Sequence, residues 1–166
     1  MITQDRLKEI CTYDPETGIF IGLVSRGSGQ RFVAGNIMGA PARRGHIQLS
    51  IDGKTYGAHR LAWLYVYGTW PKYHIDHINR IPSDNRISNL RLATMSENRC
   101  NSPGKKGKEL PKGVHWNYGR YVAHVSKNWV TVFSKRFRSI DEAAEAARIA
   151  RDIFHGEFAN HDMDPL

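Results

Sequence analysis

The stretch from Ile75 to Arg99, IDHINRIPSDNRISNLRLATMSENR, decides how this chain is read. A strand through His74, Ile75 and Asp76 delivers Asp76 and His77 at its end, and the polar run NRIPSDNRIS loops back to a second strand at Asn89 to Leu92. Thr94 with Glu97 forms a capping box, so a helix begins there with Asn98 one turn in. In such a strand-loop-strand-helix unit the strand end and the helix start can face each other. Asp76 then offers a hard anionic oxygen and Asn98 a neutral carbonyl oxygen, donors suited to Mg2+ or Mn2+ that leave room for water and phosphate oxygens. His77, neutral near pH 7, can accept a proton from an attacking water. Asn89 is placed to bond across the loop and to fix the tautomer and aim of the imidazole. Together these are the parts needed to cut a phosphodiester, with the cation stabilising charge on phosphorus and on the departing 3′ oxygen.

Plainer readings compete. An Asp-His pair can be a turn with satisfied side chains, and an Asn in a helical first turn can be merely solvated. His74 opens another option, because H-x-D-H offers zinc donors. Strand alternation, however, puts His74 and Asp76 on one face and His77 on the other.

Around this stretch, 166 residues suffice for one ordinary domain or two small ones. No apolar run approaches the roughly 20 residues a spanning helix needs, and MITQDRLKEI has no secretory apolar region, so a cytoplasmic protein without a membrane partner is expected. Cys11 and Cys100 match no zinc spacing and read as reduced thiols. The formal charge of +8 is local. Nine Lys or Arg stand against one acid, Glu109, between Cys100 and Arg138, while the remaining 15 basic and 15 acidic residues balance. A basic excess confined to one segment suits a polyanion bound through its phosphates, and equally a solubilising surface.

Pattern supplies the other elements. Thr3 can cap a short helix carrying Leu7, Ile10 and Cys11, and Tyr13 to Gly18 is a turn into a strand from Ile19 to Leu23. SRGSGQ, from Ser25, is a Gly-rich loop, and Asp52-Gly53 closes a hairpin. His59 to Tyr67 reads as a buried helix stopped by Gly68 and Pro71. Ser102 to Gly113 is a Gly, Pro and Lys linker; beyond it GVHW, RYVAHVS and NWVTVFSKRF read as three strands, turning at Asn117 to Gly119 and at Lys127-Asn128. Ser139 with Glu142 would box the start of a helix ending near His155, with Ala143, Ala147, Ala150 and Phe154 on one stripe. No internal repeat is visible.

His59-Arg60-Leu61-Ala62-Trp63, Asp76-His77-Ile78-Asn79, Asp84-Asn85-Arg86, Asn89-Leu90-Arg91, Ala93-Thr94, Glu97-Asn98 and Asn101 occur in this order. The chain thereby resembles the HNH endonucleases of phages and introns. The resemblance implies an α+β, ββα-metal (His-Me finger) module with Asp76 and Asn98 as metal ligands, His77 as general base and Asn89 as the loop-fixing residue. Arg80 departs from the pattern where relatives often carry Gly, and is read with Arg91 as a phosphate contact. Lys112 to Asn160 resembles the small Apetala-type domain of plant ethylene-response factors, on Lys112-Gly113-Val114, Gly119 to Ala123, Phe137, Glu142-Ala143-Ala144 and His155-Gly156. That likeness implies a three-stranded antiparallel sheet plus helix whose sheet enters a DNA groove.

Alternation sets Arg120, Val122, His124 and Ser126 on one sheet face. His115, Arg120, His124, Lys127, Lys135 and Arg136 are the candidate DNA contacts, with Trp116 or Trp129 adding packing. The expectation is thus a homing-type endonuclease, nicking or double-strand cutting, with a nuclease module at 1–101, a basic linker at 102–112 and a DNA anchor at 113–160. It would act on double-stranded DNA with Mg2+ or Mn2+, as a monomer or homodimer, leaving 5′-phosphate and 3′-hydroxyl ends. The rival is a DNA-binding regulator that keeps the scaffold without cutting.

Overall fold

The computed structural model describes residues 1–25, 33–103 and 109–161. All of the expected Gly-rich loop except Ser25, and residues 104–108 of the expected linker, lie outside the described residues. The chain forms two compact units, Met1–Leu92 and Ala93–Leu166.

In the first unit Thr3 Oγ1 accepts the Arg6 amide at 3.2 Å and starts α1, Gln4–Ile10. The helix stops one residue short of expectation, because Cys11 is already extended and opens β1, Cys11–Asp14. Its inward residues, Cys11 and Tyr13, alternate with exposed ones, and the period of two wins over the helical spacing. Asp14 then closes the expected turn, taking the Glu16 amide at 2.9 Å and the Thr17 hydroxyl at 2.8 Å. β2, Ile19–Gly22, returns antiparallel to β1, and β3, Ile37–Met38, adds a third strand.

A second antiparallel sheet contains β4 (Ala40–Pro41), β5 (Ile47–Ile51) and β6 (Lys54–Gly57), with the expected Asp52-Gly53 turn at φ 48° and 73°. α2, Ala58–Tyr67, ends at Gly68, whose φ of 74° lets its amide reach back to the Leu64 carbonyl at 2.9 Å. Leu7, Phe20, Leu49, Leu61 and Leu64 form the centre of this core, and Ile75 and Leu90 join it. Those last two anchor the strand pair β7, His74–His77, and β8, Leu90–Ala93.

The second unit starts with α3, Met95–Cys100. Its capping box is complete: Thr94 Oγ1 accepts the Glu97 amide at 3.2 Å, and the Glu97 carboxylate accepts the Thr94 amide at 2.8 Å. Cys100 clusters with Ala93 and Phe158, so this helix, expected inside a 1–101 module, groups with the C-terminal half. The three expected strands are β9 (Val114–Asn117), β10 (Arg120–Lys127) and β11 (Val130–Phe137), antiparallel with β10 central. α4, Ile140–His155, packs Ala143 and Ala147 against Val114 and Ala123. Alanines at that contact let the helix lie close to the sheet. Ser139 caps it through the Asp141 amide at 3.1 Å, one position short of the expected Glu142. Phe154 of the expected stripe is half-buried.

Candidate active site

β7 places Ile75, Asp76 and His77 in succession at its buried end while His74 stays exposed. Asp76 is 5% exposed, and its Oδ2 accepts two bonds from Arg91 of the adjacent β8, from Nε at 2.9 Å and from Nη2 at 2.8 Å. Arg91, expected to reach a phosphate, is turned inward: its side chain is 14% exposed and guards the carboxylate. A buried carboxylate needs such a partner, since an unpaired charge in this environment costs several kcal/mol.

His77 is met by Asn85 of the Asp84-Asn85-Arg86 run. Its Nε2 lies 3.4 Å from Asn85 Oδ1. The Asn85 amide donates through Nδ2 to the Ser83 carbonyl at 3.1 Å, which points its oxygen at the imidazole. With the amide in that orientation, the contact favours a proton on Nε2. Burial, the largest influence, and the neighbouring His46 hold His77 below the ordinary histidine range, against the opposing pull of Asn85, Asp76 and Asp84. His77 thus stays neutral, and able to take a proton, to a lower pH than a free imidazole.

Asn89 bonds across the loop as expected, but not to the imidazole. Its Oδ1 accepts the Asn79 amide at 3.0 Å, and its Nδ2 donates to Asn79 Oδ1 at 3.0 Å and to the Asp84 carbonyl at 2.8 Å. Asn79 in turn donates to Asp84 at 2.6 Å, and Arg86 binds the same carboxylate through Nη2 at 2.6 Å. Those bonds make a rigid cross-brace, and fixing the imidazole falls to Asn85, eight residues from His77. Arg80, at φ 62°, occupies a left-handed position that glycine adopts without strain, which explains the pattern it departs from. Its side chain is exposed beside the loop.

The brace is seated on the N-terminal hairpin. The Tyr13 hydroxyl donates to the Asn85 carbonyl at 2.7 Å, and the Ile87 amide donates to the Pro15 carbonyl at 3.1 Å. Gly18, at φ 74°, closes over the loop so tightly that a Cβ there would lie 2.5 Å from the Arg86 nitrogen and the Asn85 carbonyl carbon. Two further imidazoles surround His77. His46, just before β5, and His59, in the first turn of α2, have ring centroids 5.7 and 5.3 Å from it. The zinc reading of His74, Asp76 and His77 finds no support, because no group of three or more His, Cys, Asp or Glu among the described residues is arranged to hold a metal ion.

Asn98 belongs to α3 in the second unit, where its amide closes the first turn on the Thr94 carbonyl at 3.0 Å. On the sheet of that unit, register sorts the candidate DNA contacts. Val122 pairs with both His115 and Arg136, so these lie on one face with Arg120 and His124. Lys135 pairs with Ala123 and Lys127 continues the Tyr121, Ala123, Val125 series, so both belong to the helix side. Lys127 donates to the Phe154 carbonyl at 2.6 Å, and Lys135 stands 5.6 Å from the Phe137 ring. Trp116 meets Tyr121 edge to face, with centroids 4.7 Å apart, on that same helix side, while Trp129, 68% exposed, sits in the β10–β11 turn under Arg99.

No helix among the described residues is long and apolar enough to cross a membrane. The HNH endonuclease family matches residues 56–100, which contain α2, β7, the braced loop, β8 and α3. The chain is 32% identical over 103 residues to the uncharacterized HNH endonuclease L560 of Acanthamoeba polyphaga mimivirus, covering 61% of this chain and 54% of that relative. It therefore spans about half the length of the mimivirus protein. It is 36% identical over 107 residues to Protein 3.8 of Escherichia phage T7, covering 61% of this chain and 86% of the phage protein. No solved structure matches the chain significantly. The match to the HNH endonuclease family thus spans the braced loop and the strands and helix around it, and the phage relative is matched over most of its own length.

Proposed function

We propose that this protein is a divalent-metal-dependent DNA endonuclease that hydrolyses phosphodiester bonds to 5′-phosphate and 3′-hydroxyl ends, with His77 as general base. The observation that carries the reading is the buried His77 imidazole at the strand end with its Nε2 3.4 Å from Asn85 Oδ1, a contact that suits a proton on Nε2 and a basic Nδ1 facing an attacking water. Water loses its proton to Nδ1 as its oxygen forms the new bond to phosphorus in line, and the P–O3′ bond breaks with the 3′ oxygen taking a proton from solvent to become the 3′-hydroxyl.

Asp76 suits a hard cation through its buried carboxylate, and the sequence resemblance alone supports Asn98 as a second oxygen ligand. Mg2+ or Mn2+, when bound, supplies charge stabilisation at the phosphate and the leaving oxygen. Arg91 holds the carboxylate through Oδ2 and competes with a cation for its charge, and a DNA phosphate is the natural alternative partner for that guanidinium.

The sheet row of His115, Arg120, His124 and Arg136, exposed at His115 and Arg136 and half-buried at Arg120 and His124, is assigned as a DNA anchor, in the manner of an Apetala-type sheet. Tethering it to the cutter raises the local concentration of DNA at the active site. A homing role is part of the same proposal.

Supercoiled plasmid incubated with the protein, with and without Mg2+, tests the reading. A metal-dependent relaxed or linear band is expected, and His77→Ala should abolish it while a gel shift persists. Binding without any cutting by the unaltered protein would instead identify a regulator on a nuclease scaffold.

A further inference from the structure

Three imidazoles from three separate elements meet in the first unit: His46 before β5, His59 in α2 and His77 at the end of β7. Their centroids are 5.3 to 5.7 Å apart, and His59 meets His77 at an interplanar angle of 67°, an edge-to-face contact. Neither His59 nor His46 has any part in the chemistry assigned above. Nδ1 of each is buried without a hydrogen-bond partner among the described residues. Such a nitrogen carries a cost, so something other than hydrogen bonding keeps these rings in place.

Gly57 supplies the independent observation. It precedes α2 with φ −69° and ψ 133°, a conformation open to every residue, so the backbone does not call for glycine. The ring of His59 does: a Cβ at position 57 would lie 2.7 Å from His59 Cε1, 3.2 Å from Nδ1 and 3.3 Å from Nε2. Any larger residue would drive that ring from its seat.

We propose that His59 is a positioning residue, the wall that holds the His77 imidazole in the rotamer and tautomer that bond Asn85, and that Gly57 is glycine so that this wall can stand. Without the wall the 3.4 Å bond to Asn85 is long enough for the ring of His77 to swing away from it. Burial, first, and then His77, His46 and Arg60 push His59 down to about 3, so the wall carries no charge toward the base at neutral pH. The catalytic consequence rests on His77 being the general base; the positional claim does not.

Two measurements separate those claims. The first is a long-range 1H–15N imidazole spectrum of His77 at pH 7.5, recorded without metal or DNA. Unaltered protein and His59→Phe should both show the single Nε2–H tautomer, and His59→Ala and Gly57→Ala should show an averaged one. The second is plasmid nicking. A displaced base loses rate rather than substrate binding, so His59→Ala should lower kcat by roughly 10- to 100-fold with KM for DNA within about twofold. His59→Phe, which keeps a ring of similar width, should recover most of that loss. Gly57→Ala should impair the protein alone and add nothing in a His59→Ala background.

An unchanged His77 spectrum in His59→Ala overturns the proposal. So does a His59→Phe protein as impaired as His59→Ala, or a Gly57→Ala effect that persists without His59. If His59→Ala fails to fold, His59→Phe and Gly57→Ala decide. A protein that never nicks DNA removes the function assigned to His77 but leaves the spectrum to decide the wall.

Discussion

Replacing Arg91 with alanine strips the buried Asp76 carboxylate of a guanidinium that reaches it at 2.8 and 2.9 Å. With the two side chains 14% and 5% exposed, water screens the pair poorly. At an effective dielectric of about 20, two unit charges roughly 4 Å apart attract by about 4 kcal/mol, and removing one member of a buried pair typically costs about 3–5 kcal/mol. We take about 3 kcal/mol, since part of the lost attraction is replaced by water entering the space. For a unit of this size that loss lowers its unfolding midpoint by roughly 12–24 °C.

The assay is thermal and urea unfolding of the single variants Arg91→Ala and Asp76→Ala and of the double variant, in chelator. The double variant should be less destabilised than the sum of the singles by about 2 kcal/mol or more, because it leaves no orphaned charge. Adding Mg2+ should then raise the midpoint of Arg91→Ala more than that of the unaltered protein, because the carboxylate it frees is the proposed ligand. A loss under about 1 kcal/mol in Arg91→Ala, or strict additivity in the cycle, would refute the argument that this pair holds the strand end together.

Gly18→Ala should destabilise the first unit by about 2 kcal/mol or more, because its Cβ would press on the Asn85–Arg86 backbone and the φ of 74° is unfavourable to alanine; denaturant unfolding checks it. The lowered positions of His59 and His77 make stability acid-sensitive. Both rings are neutral in the folded and unfolded states above the ordinary value of 6.5, so their contribution is complete there. As pH falls below it, the unfolded chain takes up protons first, and His59 alone removes about 1.4 kcal/mol per pH unit until pH approaches about 3. Unfolding free energy measured from pH 7.5 to 5 should show this slope, and His59→Phe should flatten it. Arg120→Ala with Arg136→Ala should weaken DNA binding and reduce its salt dependence by about two phosphate contacts, whereas Lys127→Ala should leave that slope unchanged in a gel-shift salt titration.

Several local features are legible from neighbours along the chain. The capping box at Thr94 and Glu97, the Asp52-Gly53 turn, the Gly68 stop and the three strands after Gly113 all follow from local backbone preference and hydrogen bonds within a few residues. The order of Asp76, His77, Asn89 and Asn98 was legible for the same reason, as spacing on a strand, a loop and a helix. Cys11 was misread because a short helix and a strand abut there, and only pairing with Gly22 decides between them. Tertiary structure alone decided who holds whom: Asn85 rather than Asn89 at the imidazole, Arg91 turned onto Asp76, Tyr13 and Gly18 beneath the loop, and His46 and His59 beside the base. These partners are from 8 to 72 residues apart, as in His77 with Asn85 and Tyr13 with Asn85. A side chain's choice among distant donors, acceptors and ring faces depends on how the core brings their elements together, and no local pattern in the chain encodes it.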